Sequence, residues 1–259
     1  MNLRSGHGAR LVAALLLLAL AVLFVGCSAF GGDQNTFAPE GDVAKKQLEV
    51  FYWALWPAVV VLIIVSGALL YAVIRFRRRS DDDPIPKQVH GNFRLEIAWT
   101  IAPTIVLLAL AVPMIAAIID LGGDPDADAL HVNVTAQQFS WLFEYPSLTD
   151  AEGTPLRAKV DELYIPVDRE IVVHLESVDV NHSFWVPKLA GKLDAIPGRT
   201  NDLKFNATSP GTFSGQCAEF CGIGHANMKF TIIALEEPEF QVWCEEQLAL
   251  EPGAPVCQR

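Results

Sequence analysis

The sequence predicts a two-helix membrane hairpin carrying an all-β sandwich or barrel. Two charge-free apolar runs of roughly 20 residues each, the length of a bilayer crossing, predict the hairpin. Short alternating runs broken by turn residues, over about 100 residues beyond them, predict the sandwich. Composition agrees: a chain of 259 residues with 51% hydrophobic content and a mean hydropathy of +0.30 holds one or two domains and places much of itself in lipid.

From the N-terminus, the run "LVAALLLLALAVLFV" (residues 11–25) follows Arg4 and Arg10 and precedes Gly26 and Cys27. It is shorter than a span and fits the apolar region of a signal peptide. Cys27 resembles the lipidated cysteine of a bacterial lipoprotein cleavage site, with Phe24 standing where such sites carry Leu, Val or Ile; an uncleaved anchor or a buried cysteine is the other reading. Residues 1–27 are expected as a signal segment of lipoprotein type and 28–49 as a linker.

The spans run from Trp53 to Ile74 and from Ile97 to Ile119, a hairpin over 50–120. Phe51, Tyr52, Trp53 and Trp56 form an aromatic belt at one interface, and the basic run "RFRRR" (75–79) marks the other as cytoplasmic. Everything after Leu121 is then expected on the outer face of a bacterial plasma membrane.

Residues 121–237 read as the sandwich, with "VDRE" and "SPGT" as turns, and 238–259 as a short terminal helix and tail. From Asp124 onward there are 21 acidic side chains against 9 basic ones, so this region carries essentially the whole formal net charge of −11. Such a surface disfavours nucleic acid and favours basic partners, or is simply a solvated face.

The stretch "GQCAEFCGIGHANM" (215–228) concentrates the chemistry. Cys217, Cys221, His225 and Met228 are all soft or borderline metal donors. A structural disulfide between the two cysteines leaves His225 and Met228 as coincidence. Zinc takes the cysteines, His225 and one more histidine, and has no use for the methionine. Copper suits the whole set, and two thiolates in one loop are most economically used to bridge two coppers, each capped by its own histidine.

The second histidine comes from elsewhere. His7 lies in the signal segment, His90 on the cytoplasmic side, and His131 and His174 within strand-like runs where packing or surface exposure explains them. His182, in "VDVNHSFWVP", ends a strand-like run where two loops can meet.

His182, Cys217, Cys221, His225 and Met228 at these intervals resemble the CuA signature of cytochrome c oxidase subunit II. The likeness extends from about Val50 to Ala234, through "LEIAWTIAP" (95–103) and "DAIPGR" (194–199). The resemblance implies a cupredoxin-like domain with His182 and His225 as terminal imidazoles, Cys217 and Cys221 as bridging thiolates, Met228 as a weak axial ligand and the Glu219 backbone carbonyl as another. It implies that the Glu219 carboxylate binds a magnesium shared with subunit I. It also implies a cytochrome c donor, partnership with subunit I and other oxidase subunits, and haem in subunit I as acceptor for proton-pumping oxygen reduction.

The family's aromatic strand resembles "AQQFSWLFEYP", but its usual electron-accepting tryptophan falls on Phe139, so Phe139 or Trp141 is expected on the path. Packing aromatics are the alternative. Glu96 matches a glutamate at the mouth of a proton channel, or is a solvated acid compatible with a helix N-terminus. Asp194 and Arg199 are expected to order the subunit junction or to form a turn with a surface pair. Cys244 and Cys257 could pair in an oxidising compartment. With no C-x-x-C-H in the chain, the donor haem must belong to a separate protein. A CuA-bearing subunit of a nitric or nitrous oxide reductase is the alternative function. A quinol oxidase subunit keeps the fold but lacks the copper ligands.

Overall fold

The computed structural model describes residues 32–78, 87–88, 90–249 and 257. The signal segment with His7 and Cys27, and the tail apart from Cys257, lie outside the described residues. The chain divides into two units, Lys45–Asp124 and a second made of the N-terminal segment to Ala44 together with Pro125 onward.

Helix α1 spans Asp42–Arg75 and helix α2 spans Phe93–Leu121. Both are long and apolar enough to cross a membrane, and nearly all of their side chains face outward. Lys46 Nζ meets Asp120 Oδ2 at 3.1 Å, so the start of α1 lies beside the end of α2 and the two run antiparallel. Hydroxyls within the apolar stretch are satisfied locally, Thr100 donating to the Glu96 carbonyl and Thr104 to that of Thr100.

Both helices start earlier than the apolar runs. The Asn92 side chain accepts from the backbone N–H groups of Arg94 and Leu95, and Glu96 Oε1 accepts from Asn92 N at 3.2 Å, which satisfies otherwise orphaned donors of the first turn. Residues 42–49, expected as linker, are helical. Their first turn is capped from far along the chain: Asn206 Oδ1 accepts from Asp42 N at 2.9 Å and Asn206 Nδ2 donates to Asp42 Oδ2 at 2.8 Å. Just before it, Glu40 N donates to Lys188 O at 2.8 Å and Glu40 O accepts from Thr208 N at 2.8 Å. Gly41 is required here, because a Cβ would lie 2.5 Å from Asn206 O and 2.7 Å from Leu189 O.

The sandwich has ten strands: β1 Leu130–Gln137, β2 Ser140–Thr149, β3 Pro155–Arg157, β4 Glu162–Pro166, β5 Ile171–Ser177, β6 His182–Trp185, β7 Lys192–Ala195, β8 Asn201–Phe205, β9 Gly211–Cys217 and β10 Lys229–Leu235. One sheet has the order β3-β2-β1-β5-β8 and the other β4-β10-β9-β6-β7. Pairings β1–β5 and β10–β4 are parallel and the rest antiparallel. "VDRE" and "SPGT" fall between β4 and β5 and at the start of β9, as turns should.

Alternation with period two sends Leu130, Val132, Val134 and Ala136 inward from β1 and Trp141, Phe143 and Tyr145 inward from β2. These meet Phe184 and Phe230 of the other sheet, whose rings stack at 4.4 Å. Tyr145 pins the sheets together: its hydroxyl donates to Tyr164 O at 2.7 Å and accepts from Tyr164 N at 2.9 Å. Burial pushes its ionisation far above the usual tyrosine range.

Helix α3, Glu237–Gln247, buries Phe240 and Cys244 and stacks Trp243 on Tyr164 at 4.5 Å. Cys244 and Cys257 form a disulfide. The "DAIPGR" stretch is a turn in which Arg199 N donates to Ile196 O, with Gly198 in the left-handed region at φ +76°. Among the described residues no ion pair joins Asp194 to Arg199.

Candidate metal centre

Three loops converge at one end of the sandwich. The β1–β2 turn brings Gln138 and Phe139, the β5–β6 loop brings Asp179, and the β9–β10 loop brings Cys217 to Met228. His182, the first residue of β6, and Ser183 are buried between strands, which is unusual for polar side chains and calls for a partner.

Here the sequence-predicted residues come together. Cys217 Sγ and Cys221 Sγ are 3.9 Å apart, too far for a disulfide, and both are free and buried. His182 Nδ1 lies 3.8 Å from Cys217 Sγ, and His225 Nδ1 lies 3.8 Å from Cys221 Sγ. Met228 Sδ, wholly buried, is 3.7 Å from Cys221 Sγ, and the Glu219 carbonyl is 3.2 Å from Cys217 Sγ. The donor atoms of His182, Cys217 and Cys221 all lie within 4.8 Å of one another.

This donor set fits metal. A nitrogen and a sulfur 3.8 Å apart are spaced as two ligands of one ion would be, at usual bond lengths of about 2.0 Å and about 2.3 Å, so His182 with Cys217 and His225 with Cys221 would each serve a metal. Two thiols and two imidazoles, with thioether and carbonyl oxygen close by, would suit soft copper better than a single tetrahedral zinc.

Local order in the loop comes from strand-like bonds at its roots. Cys217 N donates to Met228 O at 2.9 Å and Ala218 N to Ser183 O at 2.9 Å, while His225–Asn227 forms a single 3-10 turn. Burial, then the neighbouring Cys217, pushes the Cys221 thiol upward.

Two residues that sequence reasoning did not single out complete the site. Asp179 Oδ1 faces His182 Nε2 at 2.8 Å, and its Oδ2 accepts from Gln138 N at 2.7 Å. Partial burial works to raise the Asp179 carboxyl, but hydrogen bonds from Gln138 N, His182 and Val180 N prevail and hold it at about 2. Gln138 Nε2 donates to Cys221 O at 2.5 Å. An acid three residues before a strand-end histidine was the one available signal for Asp179; Gln138 left none.

The remaining candidates are dispersed. Phe139, half-buried, lies against Gly222 and Gly224: a Cβ on Gly224 would sit 2.4 Å from its ring, and Gly222 has φ +131°. Trp141 is fully buried behind the site, its ring 6.1 Å from that of His182, and its Nε1 has no partner among the described residues. The Glu219 side chain is exposed, as is Glu96 at the start of α2. His131 and His174 join each other instead, Nδ1 to Nε2 at 3.0 Å, with Asp202 Oδ1 2.7 Å from the far nitrogen of His174.

The family model for the cytochrome c oxidase subunit II periplasmic domain matches residues 130–235, and that for the transmembrane domain of the same subunit matches 34–116. The chain is 39% identical over 238 residues to cytochrome c oxidase subunit 2 of Alkalihalophilus pseudofirmus, covering 89% of this chain and 67% of that one. It is 31% identical over 240 residues to quinol oxidase subunit 2 of Bacillus spizizenii, covering 90% and 71%. The crystal structure of the periplasmic domain of cytochrome oxidase subunit II from Bradyrhizobium japonicum is 33% identical, covers 48% of this chain and 95% of its own, and superposes with a TM-score of 0.43.

Proposed function

This chain belongs to the cytochrome c oxidase subunit II family, and on that premise we propose that its sandwich accepts electrons from a cytochrome c and delivers them to haem in subunit I, where oxygen is reduced and protons are pumped. The observation that carries the reading is the cluster of two buried thiols with buried His182 and half-buried His225, each imidazole nitrogen 3.8 Å from a different sulfur. A quinol oxidase subunit would have no use for it.

His182 and His225 would hold copper through Nδ1, Cys217 and Cys221 would bridge, and Met228 and the Glu219 carbonyl would be weak outer ligands. When bound, the dinuclear centre supplies a one-electron couple whose charge is spread over two metals and two sulfurs. The chain's own part is to keep these donors still. Asp179 holds the Nε2 side of His182 so that Nδ1 faces the sulfurs, as a carboxylate behind a metal-binding histidine does. Phe184, Trp141 and Phe230 keep water from the inner side, which limits reorganisation when charge arrives.

Phe139 spans the outside and the copper loop, and it is the proposed point of electron arrival; Trp141 backs the site from within. The exposed Glu219 carboxylate would share magnesium with subunit I. Glu96 would receive protons on the cytoplasmic side while its carboxylate also closes the first turn of α2.

Electron paramagnetic resonance of the copper-loaded chain tests the assignment. A seven-line hyperfine pattern, from one electron shared by two coppers, is expected, together with two coppers per chain. A four-line or silent spectrum rejects it.

A further inference from the structure

The copper loop is tied down unevenly. Its root is bonded into the strands through Cys217 and Ala218, and its return through Met228. In the segment from Glu219 to Gly224, Phe220 and Ile223 are exposed, Ile223 completely, while Cys221 is buried. Among the described residues, one hydrogen bond joins this segment to another part of the fold: Gln138 Nε2 to Cys221 O at 2.5 Å, across 83 residues of sequence.

That carbonyl is a natural point of slack. It belongs to the peptide linking Cys221 to Gly222, and Gly222 sits at φ +131°, where the backbone rotates with little steric restraint. Rotation of this peptide moves the chain after it, and so His225 Nδ1, relative to Cys221 Sγ, a separation on which the metal site depends.

Gln138 is itself well held. Its backbone N–H donates to Asp179 Oδ2, and the other oxygen of Asp179 faces His182. The line His182, Asp179, Gln138, Cys221 therefore joins the two ligand-bearing segments by hydrogen bonds that do not pass through metal. The next residue, Phe139, fills the space over Gly222 and Gly224. A neutral amide is suited to the position, since it donates to the carbonyl without placing a charge beside two thiolates, whereas a carboxylate would set oxygen against oxygen.

We infer that Gln138 is a positioning residue for the copper centre, its side-chain amide fixing the Cys221–Gly222 peptide so that both ligand loops behave as one rigid body. The inference rests on the copper assignment proposed above.

The test uses the full chain in lipid nanodiscs, as wild type, Gln138→Met and Gln138→Glu. Methionine keeps the length and removes the donor; glutamate replaces donor by acceptor. Copper lost to a chelator should accelerate by about tenfold, the lower range for outer-shell changes at metal sites. The hyperfine splitting and midpoint potential should also shift, more for glutamate than for methionine, while the thermal transition of the copper-free chain stays in place. Unchanged splitting, potential and copper retention in both variants overturn the role. Should either variant misfold, the unmutated copper-free chain still decides: slow solvent exchange of the Gln138 side-chain amide supports the bond, and exchange at the free-glutamine rate overturns it. Failure of the copper assignment reads out separately, as a wild-type spectrum without seven lines.

Discussion

Asp179 and His182, three residues apart, face each other at 2.8 Å while the opposite ring nitrogen of His182 lies 3.8 Å from Cys217 Sγ. One carboxylate thus orients an imidazole and, through its second oxygen, the turn that carries Phe139. Asp179→Asn should cost about 1–3 kcal/mol, because a charged acceptor serving several donors is lost. It should also weaken copper retention by about 10- to 100-fold. Denaturant unfolding and copper-to-protein ratios after dialysis against chelator measure the two effects.

Phe139 and Trp141 should respond in opposite ways. Phe139→Leu should change stability by less than about 1 kcal/mol, as at other partly exposed positions, yet slow reduction by ferrocytochrome c in stopped flow. Trp141→Ala should cost about 3–5 kcal/mol, because it empties the centre of the aromatic core.

Gly224→Ala forces a methyl group into the Phe139 ring, whose nearest atom is 2.4 Å away. Overpacking of this kind costs about 1–3 kcal/mol. Displacement of the ring should lower the rate of electron arrival as well, so thermal unfolding and stopped-flow reduction should both report the substitution.

Asp161 gives a pH dependence of known sign. Its carboxyl, which accepts from Trp141 N at 2.7 Å, is raised by burial despite that bond. A group raised on folding binds its proton more tightly in the folded chain, so its contribution is full below the unfolded value near 4 and is lost as pH rises through the folded value. Asp161→Asn keeps an acceptor for Trp141 and suits the left-handed backbone at φ 64°. The variant should be more stable than its parent at pH 7, with the difference closing as pH falls below the carboxylate range in urea titrations.

Replacing Cys244 and Cys257 together by serine should cost about 2–4 kcal/mol through release of a 13-residue loop. The copper spectrum should be unchanged, since among the described residues no hydrogen bond joins the pair to His182, Cys217, Cys221, His225 or Met228.

Legibility in the sequence followed the range of the interactions. Charge-free runs announced the hairpin, and alternation announced the strands. The true start of α1 was hidden because the cap of Asp42 comes from Asn206, 164 residues away. Cys217, Cys221, His225 and Met228 share one loop and could be read together, and His182 followed by elimination among six histidines. Gln138 escaped because its partner lies 83 residues on and no spacing records such a bond. His131 and His174, which the sequence explains by packing or surface exposure, bond to each other because β1 and β5 pair in parallel and set them on one face.

The clasp between residues 40–42 and residues 206–209 also orders events during synthesis. Glu40 and Asp42 leave the ribosome some 164 to 169 residues before Asn206, Thr208 and Ser209, the side chains that bind them. The start of the first helix must therefore wait, its donors met by water, until strands β1 to β8 have been translated. A nascent chain stalled before Asn206 would leave this junction accessible to protease, and one released beyond Ser209 would close it.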